Sequence, residues 1–482
     1  MLRTLNAPNR SSTSVLVYSN PRSPIVRLFF RLRSALQTPA VFLSSVVFLA
    51  LAIRLIIVAI VFRDVAAPTF DHNEFGWEMG WTARSIALHQ GFSSPFLPRT
   101  GPTALVPPLY PYLLAGIFRI FGLYSAASAV VILSLNSLLS ALTCIPIYFS
   151  LRHAASNRLA RFAAFGWAIY PFAIYFSADR VCDYALTALL FTTCFWAAQR
   201  LHLRGAWAWF GTGALFGFTV LSNPSVLSVL PFLILFSLHK VRRVDGPWLR
   251  NGLIVLLTCA AIWTPWAMRN QRVLHTNSTF RDGFWLEFYA GNNGDTSDSN
   301  PASAHPASNP LEMQKYQALG EINYIAEKRV EAIEFVAQHP AFFAAVTIRR
   351  VARFWTGFWS FSREYLHREP LDVPNVFFCT ALSLFLLRGI RRWWRDDPAS
   401  SLPYLVALFF FPIPYYFTHS SMDYRQPIEP MILSLVVIGI FGLREKSADA
   451  GVVDEPFLSD LIGHETEDED VSVAAMGLAP SV

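Results

Sequence analysis

Long apolar runs separated by short polar loops extend through most of the chain. A helix needs about 20 apolar residues to cross the hydrocarbon core of a bilayer, and runs near that length recur many times here. The pattern therefore predicts an all-α polytopic membrane protein with about ten transmembrane helices. These helices are predicted at residues 41–62, 126–150, 159–178, 183–201, 206–222, 224–238, 251–269, 375–390, 400–418 and 428–443.

The composition agrees with this prediction. Hydrophobic residues make up 53% of the 482 residues and charged residues only 15%, with a mean hydropathy of +0.37. A soluble protein of this length carries more charge. The five cysteines have no paired spacing, which excludes a disulfide framework and a zinc motif. The sequence thus predicts no metal site and no definite cofactor, and it leaves a requirement for a divalent metal open.

Basic residues in the short loops indicate the orientation, because arginine and lysine are enriched on the cytoplasmic side of membrane proteins. The basic loops between the predicted helices all fall on one side if residues 107–122 form a helix in the outer interface instead of a span. Both termini are then cytoplasmic. We expect an integral protein of a bacterial inner (plasma) membrane.

This orientation divides the chain into five segments. Polar segments flank the helices at both ends, and two segments face the outer side of the membrane. The segments are a basic cytoplasmic start at 1–40, a transmembrane core at 41–269 with its first outer loop at 63–122, a small mixed outer-face domain of loops and helices at 270–374, C-terminal transmembrane helices at 375–443, and an acidic, disordered cytoplasmic tail at 444–482.

Two helices are predicted within the outer-face domain. Residues 311–338 show a helical pattern, with Asn309 or Ser308 as a candidate N-cap. The next stretch, AFFAAVTIRRVARFWTGFW, carries three arginines among aromatic residues. We expect an interfacial helix whose arginines point towards lipid phosphates.

Carboxylates are concentrated in the first outer loop, which contains Asp71, Glu74 and Glu78. Loop charges commonly just face water. At a boundary between apolar groups and water, however, burial and nearby cations can tune a carboxylate as a general base. Asp183, at the start of a predicted helix, allows a similar choice between a helix N-cap and a member of the same outer-face site.

Candidate binding residues also lie on the outer side. Arg425, in DYRQPIEP, is placed to hold an anionic headgroup such as a phosphate, although an arginine there can also simply snorkel to the interface. Arg269 and Arg281 are further candidates for the same role. The patch that contains Tyr289, Asn292 and Asn293 combines aromatic and amide side chains. This combination is typical of a sugar-contact surface or of a loop docked on the membrane.

With the acidic loop, the segment PPLYPYLLAGIF and the turn DYRQPIEP, the chain resembles the GT-C superfamily of membrane glycosyltransferases. It is most similar to family 39, which includes protein O-mannosyltransferases and the aminoarabinose transferase that modifies lipid A. The resemblance extends over most of residues 41–443. It also includes TPWAMRN, before the outer-face domain, and an Asp at the start of a later span.

The resemblance implies that an acid of the first outer loop is the catalytic base. In DHNEFG the chain keeps Asp71 and the Phe75-Gly76 pair, but His72 stands where the mannosyltransferases have Glu. This spacing favours Asp71. Relatives with the later pattern FGWEMG would make Glu78 the base, and Glu74 is a third candidate. The departure at His72 leaves both the base and the sugar open.

The resemblance further implies a sugar donor on a polyprenyl phosphate, with Arg425, Arg269 or Arg281 at its phosphate. The acceptor would be a lipid, glycan or protein bearing a hydroxyl or phosphate group, and the reaction would invert the anomeric carbon. No nucleic acid partner is expected, since lipid headgroups account for the basic loops. The alternatives are a lipid or sugar transporter or flippase, and a membrane scaffold without a base.

The orientation can be tested by labelling single cysteines from the outer side with a membrane-impermeant maleimide. A cysteine at Ser303 should react, because residues 270–374 are predicted outside, whereas a cysteine at Asp245 should be protected. The reverse labelling pattern would place the acidic loop in the cytoplasm.

Overall fold

The computed structural model of the chain describes residues 38–67, 73–294, 304–357, 372–419 and 421–443. The predicted N-terminal segment, except for its last three residues, and the predicted acidic tail lie outside these ranges, as does Asp71. Secondary structure in the described part consists of helices joined by turns and loops, with one isolated β-bridge between Ser93 and Pro102 and without a β-strand, which confirms the all-α prediction.

The helices follow the apolar runs of the sequence, and every run predicted to cross the membrane contains one. In chain order they are α1 Pro39–Ala66, α2 Trp77–Ala87, α3 Leu109–Phe121, α4 Ala126–Leu142, α5 Cys144–Ala154, α6 Asn157–Ala168, α7 Pro171–Ala178, α8 Tyr184–Arg200, α9 Ala206–Ser222, α10 Leu230–Arg242, α11 Trp248–Leu274, α12 Phe284–Gly291, α13 Pro310–Leu319, α14 Glu321–Gln338, α15 Pro340–Thr356, α16 Asp372–Asp396, α17 Pro398–Phe410, α18 Ile413–Phe417 and α19 Glu429–Phe441.

Fewer helices than predicted are long enough to be assigned as spans by themselves. Within the described ranges, four are long and apolar enough to cross a membrane: α1, α4 with α5, α11, and α17 with α18. A fifth results if α6 and α7, which meet at a bend of 44°, are taken as one span. Helices α3 and α9 are apolar but shorter. The count of ten therefore stays a prediction.

The bend between α6 and α7 is held by a buried arginine of α1. Arg54 is 0% exposed, and its Nη1 and Nη2 donate to the carbonyl oxygens of Ala168 and Trp167, at 2.9 and 3.2 Å. Its Nε donates to the hydroxyls of Ser140 and Ser177, at 3.1 and 3.2 Å. Carbonyls at a helix end lack partners within the helix, so the guanidinium satisfies them while its own donors are satisfied.

Two glycines allow α16 and α19 to cross in close contact. A Cβ added at Gly389 would overlap the carbonyl oxygen of Leu435, and one added at Gly439 would overlap that of Phe385. Small residues at such crossings let helix backbones approach in membrane proteins.

The described part of the predicted outer-face domain consists of helices and the loops that join them. The predicted helix at 311–338 is divided into α13 and α14 at Gly320, whose φ of +72° ends the first helix. The predicted N-cap is confirmed, because Oδ1 of Asn309 accepts hydrogen bonds from the backbone N–H groups of Leu311 and Glu312.

A buried carboxylate joins this domain to the first outer loop. Glu321, 4% exposed, accepts hydrogen bonds from the backbone N–H of Ala104 at 2.6 Å and the hydroxyl of Tyr316 at 2.7 Å. It also accepts one from the hydroxyl of Thr103. The start of α14 is thereby fixed to the loop that precedes α3.

One prediction for this domain is wrong. Arg350 of α15 does not face lipid phosphates but is 6% exposed, and it donates to Oδ1 of Asn292 and to the carbonyl oxygen of Phe417, both at 3.1 Å. Arg353 is also buried, at 7% exposed. The physical reason for Arg350 is that backbone carbonyls and an amide inside the protein offer its guanidinium group acceptors that hold it away from the surface.

Replacing Gly439 with alanine should lower the melting temperature of the detergent-solubilised protein, because the new methyl group overlaps a backbone carbonyl of α16 and overpacking costs about 1–3 kcal/mol. The matched control is Gly211→Ala in α9, where an added Cβ meets no atom within 4 Å. The control should leave the melting temperature unchanged or slightly raised, since alanine favours a helix. Equal melting temperatures for both variants would contradict the close crossing.

Candidate active site

Glu78 lies in the first turn of α2, which a glycine brings against the turn that carries Asp183. Gly76 precedes α2 with a φ of +102°, a conformation that residues with a side chain rarely adopt. A Cβ at this position would lie only 2.8 Å from the carbonyl oxygen of Val181. The sequence FGW therefore lets the start of α2 pack against residues next to Asp183.

The carboxylate of Glu78 belongs to a cluster of charged side chains. Its Oε1 lies 3.9 Å from Nε2 of His305, and its side chain is 24% exposed. Burial raises the pKa of Glu78. The charges of His305 and Arg281 lower this pKa in part, and the nearby Glu287 raises it further. A carboxylate with a raised pKa is suited to accept a proton near neutral pH.

A second carboxylate, Glu287 of α12, lies between two cationic or potentially cationic groups. Its oxygens are 3.6 Å from Nη2 of Arg281 and 3.6 Å from Nδ1 of His419. Burial alone would raise its pKa, but His419, Arg281 and His305 together lower the pKa of Glu287. Glu287 therefore stays ionised at a pH at which Glu78, with its raised pKa, takes up a proton more readily.

Arg281, Glu287 and His419 border a cavity of about 290 Å³, here named the Arg281 cavity, whereas Glu78 and His305 are not among its lining residues. Nε2 of His419 lies 2.6 Å from the hydroxyl of Tyr424, and the hydroxyl of Tyr415 donates to Ser225 at 2.9 Å. Nε of Arg281 is buried and makes no hydrogen bond with the described residues. The cavity is lined by Pro224, Ser225, Phe280, Arg281, Phe284, Glu287, Pro414, Tyr415, Thr418, His419 and Tyr424.

Asp183 precedes α8 but does not cap it. Its side chain makes no capping hydrogen bond to a backbone N–H of the helix. It is 3% exposed and accepts a hydrogen bond from the hydroxyl of Thr187 at 3.1 Å. The positive charge of Arg281 also acts on this carboxylate. The cap, which was the alternative to a site role, is therefore absent, because the carboxylate turns to Thr187 and is within the electrostatic reach of Arg281. Membership of Asp183 in the site stays a prediction.

Glu74 faces a different cavity, of about 240 Å³, here named the Glu74 cavity. Its carboxylate lies 3.9 Å from Nη1 of Arg180. Nε of the same arginine lies 3.5 Å from the carboxylate of Asp179. Asp423 lines this cavity, whereas the next residue, Tyr424, lines the Arg281 cavity. The wall between the two cavities thus includes consecutive residues of the 3₁₀ turn Asp423–Ile428.

Arg425 is buried and paired inside the protein. It is 1% exposed and forms an ion pair with Glu429, which also accepts a hydrogen bond from Tyr170 at 2.8 Å. Its Nη1 donates to the carbonyl oxygen of Phe354 at 3.0 Å. These contacts stabilise the entry to α19, and a role at a donor phosphate stays a prediction.

Arg269 is occupied by the loop before α3. Its guanidinium donates to the carbonyl oxygens of Thr103 and Phe92, both at 2.6 Å, and lies over the rings of Phe92 and Trp266. Among the three predicted phosphate ligands, the Arg281 side chain alone lines one of the cavities described above.

The predicted sugar-contact residues lie at the end of α12. Asn292 is 1% exposed and donates to the carbonyl oxygens of Phe288 and Phe417, each at 2.8 Å. Asn293 is 6% exposed and donates to the carbonyl oxygen of Tyr289 at 2.8 Å. The ring of Tyr289 faces Nζ of Lys328, 4.3 Å from the ring centre. Their contact with a sugar stays a prediction.

Sequence reasoning missed four members of the cluster: Glu287, His305, His419 and Tyr424. Glu287 and Tyr424 lie inside the stretches that had been singled out, WLEFYAG and DYRQPIEP, but a single acid or phenol among aromatics carries no spacing signal. Within the described ranges, no group of three or more His, Cys, Asp or Glu side chains is placed to hold a metal ion.

Comparison with known proteins gives a partial family match. Residues 105–266, about a third of the chain, match the family model of dolichyl-phosphate-mannose-protein mannosyltransferase. The matched segment contains α3 and Asp183 but none of the acids of the first outer loop. No curated protein matches the chain in sequence.

Among solved structures, the chain is similar to the oligosaccharyltransferase of Archaeoglobus fulgidus. The apo crystal structure gives a TM-score of 0.47 with 16% identity, over 83% of this chain and 50% of that one. The archaeal oligosaccharyltransferase AglB, in complex with an inhibitory peptide and a dolichol-phosphate, gives the same values. The chain spans about half the length of these proteins, and a similarity of this degree transfers neither a site nor a substrate.

The sequence motifs had indicated a resemblance to membrane glycosyltransferases, and the family match tests it independently of the candidate site. The matched segment includes helices from the predicted transmembrane core, α3 to α11 in large part. Residues 105–266 of this chain are thus similar to dolichyl-phosphate-mannose-protein mannosyltransferases, in agreement with the resemblance that the motifs indicate.

Proposed function

We propose that this membrane protein transfers a sugar from a polyprenyl-phosphate donor to a hydroxyl or phosphate group of an acceptor. The single observation that carries this proposal is the charged cluster of Glu78, Glu287, Arg281 and His305, in which a carboxylate with a raised pKa lies near a cavity-lining arginine. Such a cluster supplies both a base and a cation at one site.

Glu78 is the catalytic base in this proposal. The acceptor oxygen attacks the anomeric carbon, its proton passes to Glu78, and the bond between that carbon and the phosphate oxygen breaks. Attack on the face opposite the phosphate inverts the anomeric carbon. Glu74 is a weaker candidate because it borders the Glu74 cavity beside Arg180, and Asp71, which the motif spacing favours, lies outside the described residues.

Arg281 binds the donor phosphate in this proposal. Its Nε has no hydrogen-bond partner among the described residues, and its guanidinium borders the cavity. An arginine beside a phosphate stabilises the negative charge that grows on the leaving group in the transition state. In this proposal Asp183 is a positioning residue. Its carboxylate interacts electrostatically with Arg281 and orients that guanidinium.

The reaction would take place on the outer face of a bacterial inner membrane, with both termini in the cytoplasm. The charge of the loops supports this orientation, because the basic loops fall on one side and the acidic site residues on the other. The acceptor, a lipid, glycan or protein, would then be met outside the cytoplasm, where nucleotide-linked sugars are absent and a lipid-linked donor supplies the activated sugar.

Changing Glu78 to glutamine should reduce sugar transfer by about 10²- to 10⁴-fold, because the amide cannot take the acceptor proton. Transfer would be measured in membranes supplied with a panel of polyprenyl-phosphate sugars. In the parent, the acid limb of kcat/KM should lie above the usual pH range of a glutamate, since the base acts only when ionised and its pKa is raised.

Glu74→Gln is the matched control, since Glu74 is an acid of the same loop but lines the Glu74 cavity beside Arg180. This change should cost little in rate. A severe loss in Glu74→Gln together with full activity in Glu78→Gln would assign the base to Glu74, and full activity in both variants would leave Asp71 as the remaining acid to test.

Changing Arg281 to glutamine should weaken binding of geranyl phosphate by about ten- to a hundredfold, the effect of losing one charge-assisted hydrogen bond. The melting temperature should change little, because the Arg281 side chain is 34% exposed. Arg425→Gln should instead lower the melting temperature, since this change leaves Glu429 buried without its cation. Unchanged binding by Arg281→Gln would place the phosphate elsewhere.

A further inference from the structure

We propose that His419 takes up a proton when a phosphate monoester dianion occupies the Arg281 cavity, and that this proton neutralises the second negative charge of the leaving group. The inference rests on the proposed function, since it concerns the same cavity. It assigns a catalytic role to a residue that neither the motifs nor the family match indicates.

The first support is a chain of side chains along the cavity wall. The hydroxyl of Tyr424 lies 2.6 Å from Nε2 of His419, Nδ1 of His419 lies 3.6 Å from Glu287, and Glu287 lies 3.6 Å from Arg281. All four residues line the same cavity. A ligand that reaches Arg281 is therefore electrostatically close to the imidazole of His419.

The second support is the charge around His419. Burial lowers the pKa of His419, the carboxylate of Glu287 acts in the opposite direction, and Arg350, His305 and Arg281 lower it further. The histidine is therefore neutral at neutral pH without a ligand. A dianion placed beside Arg281 adds negative charge to this surrounding and favours the imidazolium.

The direction of one hydrogen bond would follow the proton. We take the neutral ring as the tautomer with its hydrogen on Nδ1, which lies 3.6 Å from the carboxylate of Glu287, so that Nε2 accepts a hydrogen bond from the hydroxyl of Tyr424. Once Nε2 is protonated it donates to the oxygen of Tyr424 instead. The phenolic hydrogen is then free to turn and donate to a phosphate oxygen in the cavity.

The charges of the proposed reaction call for a protonated group such as His419 beside the leaving phosphate. The donor is a phosphodiester with one negative charge. When its bond to the anomeric carbon breaks, the bonding electrons remain on the phosphate oxygen, which leaves a monoester with two negative charges. The acceptor proton goes to Glu78, and the proton on His419 comes from water. Charge is thus balanced at each end of the transferred sugar.

The test compares two short ligands by titration calorimetry on the full-length protein in detergent, in two buffers of different ionisation enthalpy. Geranyl phosphate is a dianion at about pH 8, well above its second pKa of about 6, whereas methyl geranyl phosphate, a diester, carries one charge. Binding of geranyl phosphate should take up about one proton, and binding of the diester should take up none.

His419→Gln should abolish the proton uptake while it keeps binding of the diester. His305→Gln and Glu78→Gln are the matched controls, since both groups belong to the charged cluster and also titrate. Each should keep the uptake seen in the parent. Uptake that persists in His419→Gln, or that disappears in either control, would overturn the assignment to His419.

The failure of this inference differs from a failure of the proposed function. If the parent binds both ligands without proton uptake, the phosphate site stands and the role of His419 is wrong. If the parent binds neither ligand, the cavity is not a phosphate site and both proposals fall.

Discussion

A charged group buried among apolar helices must find its partners inside the protein, because neither lipid nor apolar side chains replace its lost hydration. The scaffold depends on two arginines that meet this requirement differently. Arg54 uses neutral acceptors, two hydroxyls and the carbonyls at the end of α6. Arg425 uses the carboxylate of Glu429 and one carbonyl. Each arginine joins segments that are distant in the sequence.

The candidate site brings charged groups together beside a cavity. The Arg281 cavity contains a guanidinium whose buried Nε makes no hydrogen bond with the described residues, and an imidazole whose Nδ1 makes none either. Glu78 and Glu287 lie near one another, but their surroundings raise the pKa of Glu78 and lower the pKa of Glu287. A difference of this kind between two acids is what acid-base chemistry at one site requires.

The sequence predicted the positions of the helices well, because an apolar run near span length has few other uses. It also predicted the cap at Asn309 from local chemistry alone. It did not predict the break at Gly320, where a positive φ ends the first helix, or the burial of Arg350, which depends on a partner far along the chain. For the site, motifs and resemblance identified Glu78 and Arg281 among several candidates. His419 could not be found, because its importance comes from Glu287 and Tyr424 in space.

The wall between the two cavities has a consequence for how ligands influence each other. Asp423 borders one cavity and Tyr424 the other, so a single peptide unit separates the two linings, and consecutive Cα atoms are only about 3.8 Å apart. If a ligand in one cavity displaces this peptide unit, it also moves the lining of the other cavity. The resulting change in affinity would then be the same factor in both directions, by reciprocity.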